Sequence, residues 1–149
     1  MQKFVFSFLL LILSVHITLA QKQEPRLVLP VGHTDQITSA VFSPDGKLAL
    51  TASMDMTARI YEVSTGKELQ VLCGHTNEVN SAVFNADGKL ALTASNDMTA
   101  RIYEIATGKE LQVLSGHTNW VNSAVFSADG KLALTASWDN TARIYEVAT

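Results

Sequence analysis

Cysteine is nearly absent from this chain. Cys73 is the only one in 149 residues, so no intrachain disulfide can form, even in an oxidising compartment. Excess charge of one sign is lacking too: 11 Lys and Arg stand against 14 Asp and Glu, a formal net charge of −3. That balance argues against a nucleic-acid partner, which needs a basic face. No helical period runs through the chain, and no glycine-rich phosphate loop or paired-carboxylate constellation stands out. The strained G-x-S-x-G turn that presents a serine in one large class of hydrolases is missing as well.

One long apolar run is present, at the N-terminus. Lys3 is a positive lead, Phe4 to Leu13 is almost wholly apolar, and Thr18 and Ala20 are small residues placed for cleavage. The apolar core is shorter than the roughly 20 residues of a membrane-spanning helix. Residues 1–20 therefore read as a secretory signal, with a linker at 21–26 and a mature chain starting near Gln21. The expected location is secreted or periplasmic, with no membrane insertion after cleavage. Because apolar residues continue through Val15, Ile17 and Leu19, an uncleaved membrane anchor is the alternative. Loss of Lys3 takes the formal charge from −3 to −4.

What fills the rest is a 42-residue unit repeated three times. Gly32-His33, Gly74-His75 and Gly116-His117 open the copies, each followed by A-V-F-x-x-D-G-K-L-A-L-T-A-S and then T-A-R-I-Y-E. Within the second copy, Val79 to Phe84 reads as a strand and Ala86-Asp87-Gly88 as a hairpin turn. Leu90 to Ser95 is a second strand, Asn96-Asp97-Met98 a tight turn, Thr99 to Ile105 a third strand, and Leu111 to Ser115 a fourth. Four short antiparallel strands per unit describe a blade of a β-propeller. The fold class is all-β, with three four-stranded antiparallel blades that make an incomplete ring as a single chain. The units lie near 33–74, 75–116 and 117–149. Cys73 corresponds to Val31 and Ser115, a strand-end residue and no nucleophile.

The G-H dipeptide, the S-x-D turn and the T-A-R-I strand resemble the WD-repeat (β-transducin-type) family over Leu27 to Thr149. The family's closing Trp-Asp is replaced by Tyr61-Glu62, Tyr103-Glu104 and Tyr145-Glu146. The resemblance implies a hydrogen-bonded set inside each blade. In the first unit it would hold His33, Ser53, Asp55 and Tyr61. His75, Ser95, Asp97 and Tyr103 match in the second, and His117, Ser137, Asp139 and Tyr145 in the third. Buried polar groups must be paired or they cost stability. Thr51, Ser53 and Asp55 alternate along one strand and so share a face. A tyrosine does not donate from the place an indole would, which leaves the fourth member open.

His, Ser and Asp are also the residue types of a hydrolase triad. A nucleophile occupies one special place, whereas this set recurs three times, so no enzyme is expected. Histidines in separate blades lie too far apart to share a metal ion. No cofactor is expected.

Most positions are identical among the copies, and the differences gather at a few sites. Gln36, Glu78 and Trp120 correspond, as do Met54, Asn96 and Trp138, and as do Met56, Met98 and Asn140. The first set enters the first strand of each unit; the other two flank the Asp of the second turn. Both loops leave a four-stranded blade at one end, so these residues should share one face. The resemblance implies that this face binds a protein partner; drift at unconstrained loop positions is the alternative. Trp120 and Trp138 favour binding, since tryptophan is enriched at interface hot spots.

Closed propellers hold about four to eight blades, and three cannot close. Leu27-Val28-Leu29-Pro30-Val31 reads as a strand of the fourth type, and the last copy stops after its third. One arrangement consistent with this is a homodimer, head to tail, forming a six-bladed ring. A truncated propeller without autonomous function is the rival. The leading function is a protein-interaction scaffold of unidentified partner; small-ligand or carbohydrate binding stays open, since two indoles could stack on sugar rings.

Overall fold

A computed structural model of the protein describes residues 32–148. The proposed signal at 1–20, the linker at 21–26 and the strand Leu27–Val31 lie outside the described residues. Eleven strands and no helix are found among those described. The first sheet contains β1 (Ile37–Phe42), β2 (Leu48–Ser53), β3 (Ala58–Glu62) and β4 (Glu68–Leu72). The second contains β5 (Val79–Phe84), β6 (Leu90–Ser95), β7 (Ala100–Glu104) and β8 (Glu110–Leu114). The third contains β9 (Val121–Phe126), β10 (Leu132–Ser137) and β11 (Ala142–Glu146). Strand order in each sheet follows the chain, and all neighbours are antiparallel. Among the described residues the third sheet has three strands, where four were expected with one of them supplied by Leu27–Val31.

Local sequence accounts for each hairpin. The β5–β6 turn reads Asn85-Ala86-Asp87-Gly88, and Gly88 has a φ of 72°, where a side chain would be strained. Its amide donates to the Asn85 carbonyl at 3.1 Å, and the Asn85 side chain accepts from the Leu90 amide at 3.0 Å. A register shift between Val79 and Ser81 recurs in every sheet, between Ile37 and Ser39 and opposite Ala136 and Ser137. Such bulges twist the strand and re-aim its side chains.

The sheets stack face to face in chain order. Leu50, Ala52, Ala58 and Ile60 of the first sheet pack on Val79, Ala82, Ala91 and Tyr103 of the second. Leu92, Ala94, Ala100 and Ile102 repeat that contact on Val121, Ala124 and Ala133 of the third. Alanines at these positions let two sheets approach closely, while Leu and Ile fill the space between them, each contributing roughly 1.5–3 kcal/mol when fully buried. Identical L-A-L-T-A-S strands thus have different environments: β6 is buried along most of its length, and β10 is exposed at alternate residues. The three sheets do not close into a ring.

Candidate functional site

At one end of each blade, two loops are welded together by a buried polar set. His75 Nδ1 donates to Asp97 Oδ2 at 2.8 Å, and its Nε2 lies 2.7 Å from Thr93 Oγ1. With hydrogen on Nδ1, a neutral imidazole accepts from the threonine hydroxyl. The same two contacts are made by His33 with Asp55 and Thr51, and by His117 with Asp139 and Thr135. Each Asp also takes backbone amides from both loops. Asp97 accepts from the Thr76 amide at 3.2 Å and from the Thr99 amide at 3.0 Å. Burial opposes ionisation of Asp97, but hydrogen bonds from His75 and Thr99 outweigh it, and its pKa lies well below the usual carboxylate range. Asp55 is held down in the same way, mainly by Thr57 and His33 against burial, and Asp139 first of all by Thr141.

The serines of the expected sets join through the backbone, not through the imidazole. Ser95 Oγ donates to the Asn77 carbonyl at 3.1 Å and accepts from the Asp97 amide at 3.0 Å. Ser53 and Ser137 do likewise with Asp35 and Asn119. Thr51, Thr93 and Thr135, which the sequence reading did not include in the sets, stand against the histidines. Alternation along the strand was the signal that could have found them, since it puts Thr and Ser on one face.

Two of the tyrosines make no bond to the set. Tyr103 is fully buried, and its hydroxyl lies near Thr93 without hydrogen-bonding geometry. Tyr145 donates away from the set to the Ser115 carbonyl at 3.1 Å. The Tyr61 hydroxyl lies against Gly32, where an added Cβ would stand 2.5 Å from it. In the second and third blades the tyrosine hydroxyl therefore does not donate to the set.

In the second and third blades no substrate can reach the histidine and the threonine. The side chains of His75 and His117 have no exposed surface, and Thr93 and Thr135 are buried. A hydroxyl sealed in this way cannot act as a nucleophile. Among the described residues no group of three His, Cys, Asp or Glu gathers to hold a metal ion.

What the polar sets do is fix the loop tips. The Met54 amide donates to the Gln36 carbonyl, the Asn96 amide to Glu78 and the Trp138 amide to Trp120, each at 2.9 Å. Six of the nine residues expected on the binding face are thereby brought together in pairs. In the second blade the pair is polar, Asn96 Nδ2 donating to Glu78 Oε2 at 2.9 Å. In the third it is aromatic: the indole centroids are 5.1 Å apart and tilted by 39°. Trp120 and Trp138 are 41% and 58% exposed, too open for two indoles that only fill a core. Met56, Met98 and Asn140 have φ of 67°, 68° and 65°, so the turn itself restricts what these places accept.

The model of the family described as WD domain, G-beta repeat matches residues 23–62, 66–104 and 108–146. The second match runs from β4 to β7 and the third from β8 to β11, so each straddles two sheets. No curated protein matches the chain.

Proposed function

The chain belongs to the WD-repeat family, and on that premise we propose that it is a secreted or periplasmic protein-interaction scaffold without catalytic activity. It binds a protein partner through the loop face that carries Gln36, Met54 and Met56, then Glu78, Asn96 and Met98, and finally Trp120, Trp138 and Asn140. Its working assembly is a homodimer.

The observation that carries this reading is the Trp120–Trp138 pair. Two indoles at 5.1 Å, both partly open to solvent, sit on loops clamped by a buried hydrogen-bonded set. A rigid aromatic pair loses little conformational freedom on binding, which is what an interface anchor requires. The 39° tilt makes a wedge and not a flat platform, which suits an inserted side chain better than a stacked sugar ring. Export rests on residues 1–20, with their positive lead and short apolar core.

A photoreactive amino acid at position 138 tests the binding face, with a matched probe at Asp87 on a hairpin turn at the blade's other end. Cross-linked products specific to position 138, and lost in the Trp120→Ala chain, are expected. The same products from both probes would sink the assignment of the face. N-terminal sequencing of the exported chain is expected to begin near Gln21.

A further inference from the structure

Among the described residues the first and third sheets each leave one face uncovered, and the two faces are those that already pack on each other inside the chain. Leu134 and Ile144 on the third sheet are 44% and 70% exposed. Their counterparts one and two repeats earlier, Leu92 with Ile102 and Leu50 with Ile60, are fully buried against the following sheet. On the first sheet Ile37 is 52% exposed, whereas Val79 and Val121 in the same place are fully buried against the preceding sheet. A pair of matching faces is therefore seen joined twice and left open once.

A hydrogen bond repeats along with the apolar contact. The Thr38 hydroxyl donates to the Val79 carbonyl of the next sheet, and Asn80 Nδ2 to the Val121 carbonyl at 2.9 Å. Asn122 is the third residue in this series and is exposed, with no following sheet among the described residues.

From these faces we infer that a second copy of this chain covers both, the third sheet of each copy packing on the first sheet of the other. In that contact Leu134 and Ile144 meet the Ile37 face, and Asn122 donates to the Ile37 carbonyl of the second copy. Head-to-tail contacts of this kind either close or grow into filaments. Rings of blades usually hold about four to eight, and two copies of the three described sheets make six. The inference rests on the homodimer reading and specifies the contact that makes it. Closure also sets the two Trp pairs on one face of the ring, so a partner meets two equivalent wedges.

Sedimentation equilibrium on the full chain is the test, with circular dichroism as a check of fold. The parent is expected at twice the chain mass. Ile144→Asp and Ile37→Asp are each expected at the mass of one chain with unchanged dichroism, since both positions face solvent in the single chain. Mixing the two variants should restore a pair, because the third sheet of Ile37→Asp and the first sheet of Ile144→Asp are both intact. A folded parent at the mass of one chain overturns the homodimer and the contact together. A parent pair that survives both substitutions overturns the contact alone. Species that grow beyond two chains with concentration overturn closure.

Discussion

His75 Nδ1 lies 2.8 Å from Asp97 Oδ2, with the histidine side chain fully buried and the aspartate 4% exposed. These residues are 22 positions apart and belong to two different loops. His33 with Asp55 and His117 with Asp139 repeat the distance to within 0.1 Å. The pair therefore acts as a clamp: it holds the loop before the first strand of a blade against the turn between its second and third.

Removing one side of the clamp should be costly. His75→Ala leaves the Asp97 carboxylate and the Thr93 hydroxyl without their shared partner in a site closed to water. Loss of one member of a buried pair costs roughly 3 kcal/mol or more, which for a domain of this size lowers the melting temperature by about 10 °C. Lys47→Ala, which breaks only the solvent-exposed contact with Asp45, should leave it unchanged. Equal effects of the two substitutions in thermal melts would show that the clamp bears no load.

The same carboxylates set the acid limit of the fold. Asp55, Asp97 and Asp139 titrate below their unfolded range, because hydrogen bonds to the charged form outweigh burial. A group whose folded pKa is lowered gives its full stabilisation above the unfolded pKa, about 4 for Asp, and loses it as pH falls below that value. Urea midpoints should therefore be steady from neutral pH to about 5 and drop steeply below about 4. Asp97→Asn should lower the neutral midpoint and flatten the acid limb. An unchanged slope in that variant would count against the assignment.

Tyr103→Phe separates the tyrosine from the clamp. Burial first, with the Glu110 and Asp97 carboxylates, pushes the Tyr103 hydroxyl pKa upward against nearby Arg101, and the hydroxyl has no hydrogen bond of good geometry. Deleting an unsatisfied buried hydroxyl should be neutral or stabilise by up to about 1 kcal/mol. Tyr145→Phe, by contrast, gives up the bond to the Ser115 carbonyl and should cost about 1 kcal/mol. Denaturant titrations of the two variants should diverge in sign; a large loss in Tyr103→Phe would place the phenol inside the set.

Met98 occupies a left-handed conformation with a φ of 68° that the third copy gives to Asn140. Asparagine visits this region more readily than methionine, so Met98→Asn should raise stability by about 0.5 kcal/mol. A lower urea midpoint would mean that the Met98 side chain makes a contact worth more than the backbone strain.

The repeat period, the four-strand rhythm and the hairpin turns were legible in the sequence because they are local. Alternation fixes which residues share a face, and Asp-Gly or S-x-D fixes where the chain reverses. Strand limits read from residue type alone fell within about a residue of those observed; Val79–Phe84 and Leu90–Ser95 matched outright. Pairing of Gln36 with Met54, Glu78 with Asn96 and Trp120 with Trp138 was foreseeable only as a shared end of the blade. Their backbone bonds at 2.9 Å needed the register.

Sequence by itself determined the all-β blade, its family and the residue types of the clamp, since each follows from a pattern spanning a few neighbouring positions. Tertiary structure decided that Thr93 and not Ser95 faces His75, that Tyr103 packs without a bond, and that one face of β10 is open where β6 is covered. The reason is physical: contacts between residues about 20 positions apart depend on strand register and on the bulge after Val79. Burial depends on whether another sheet follows, which an identical hexapeptide cannot encode.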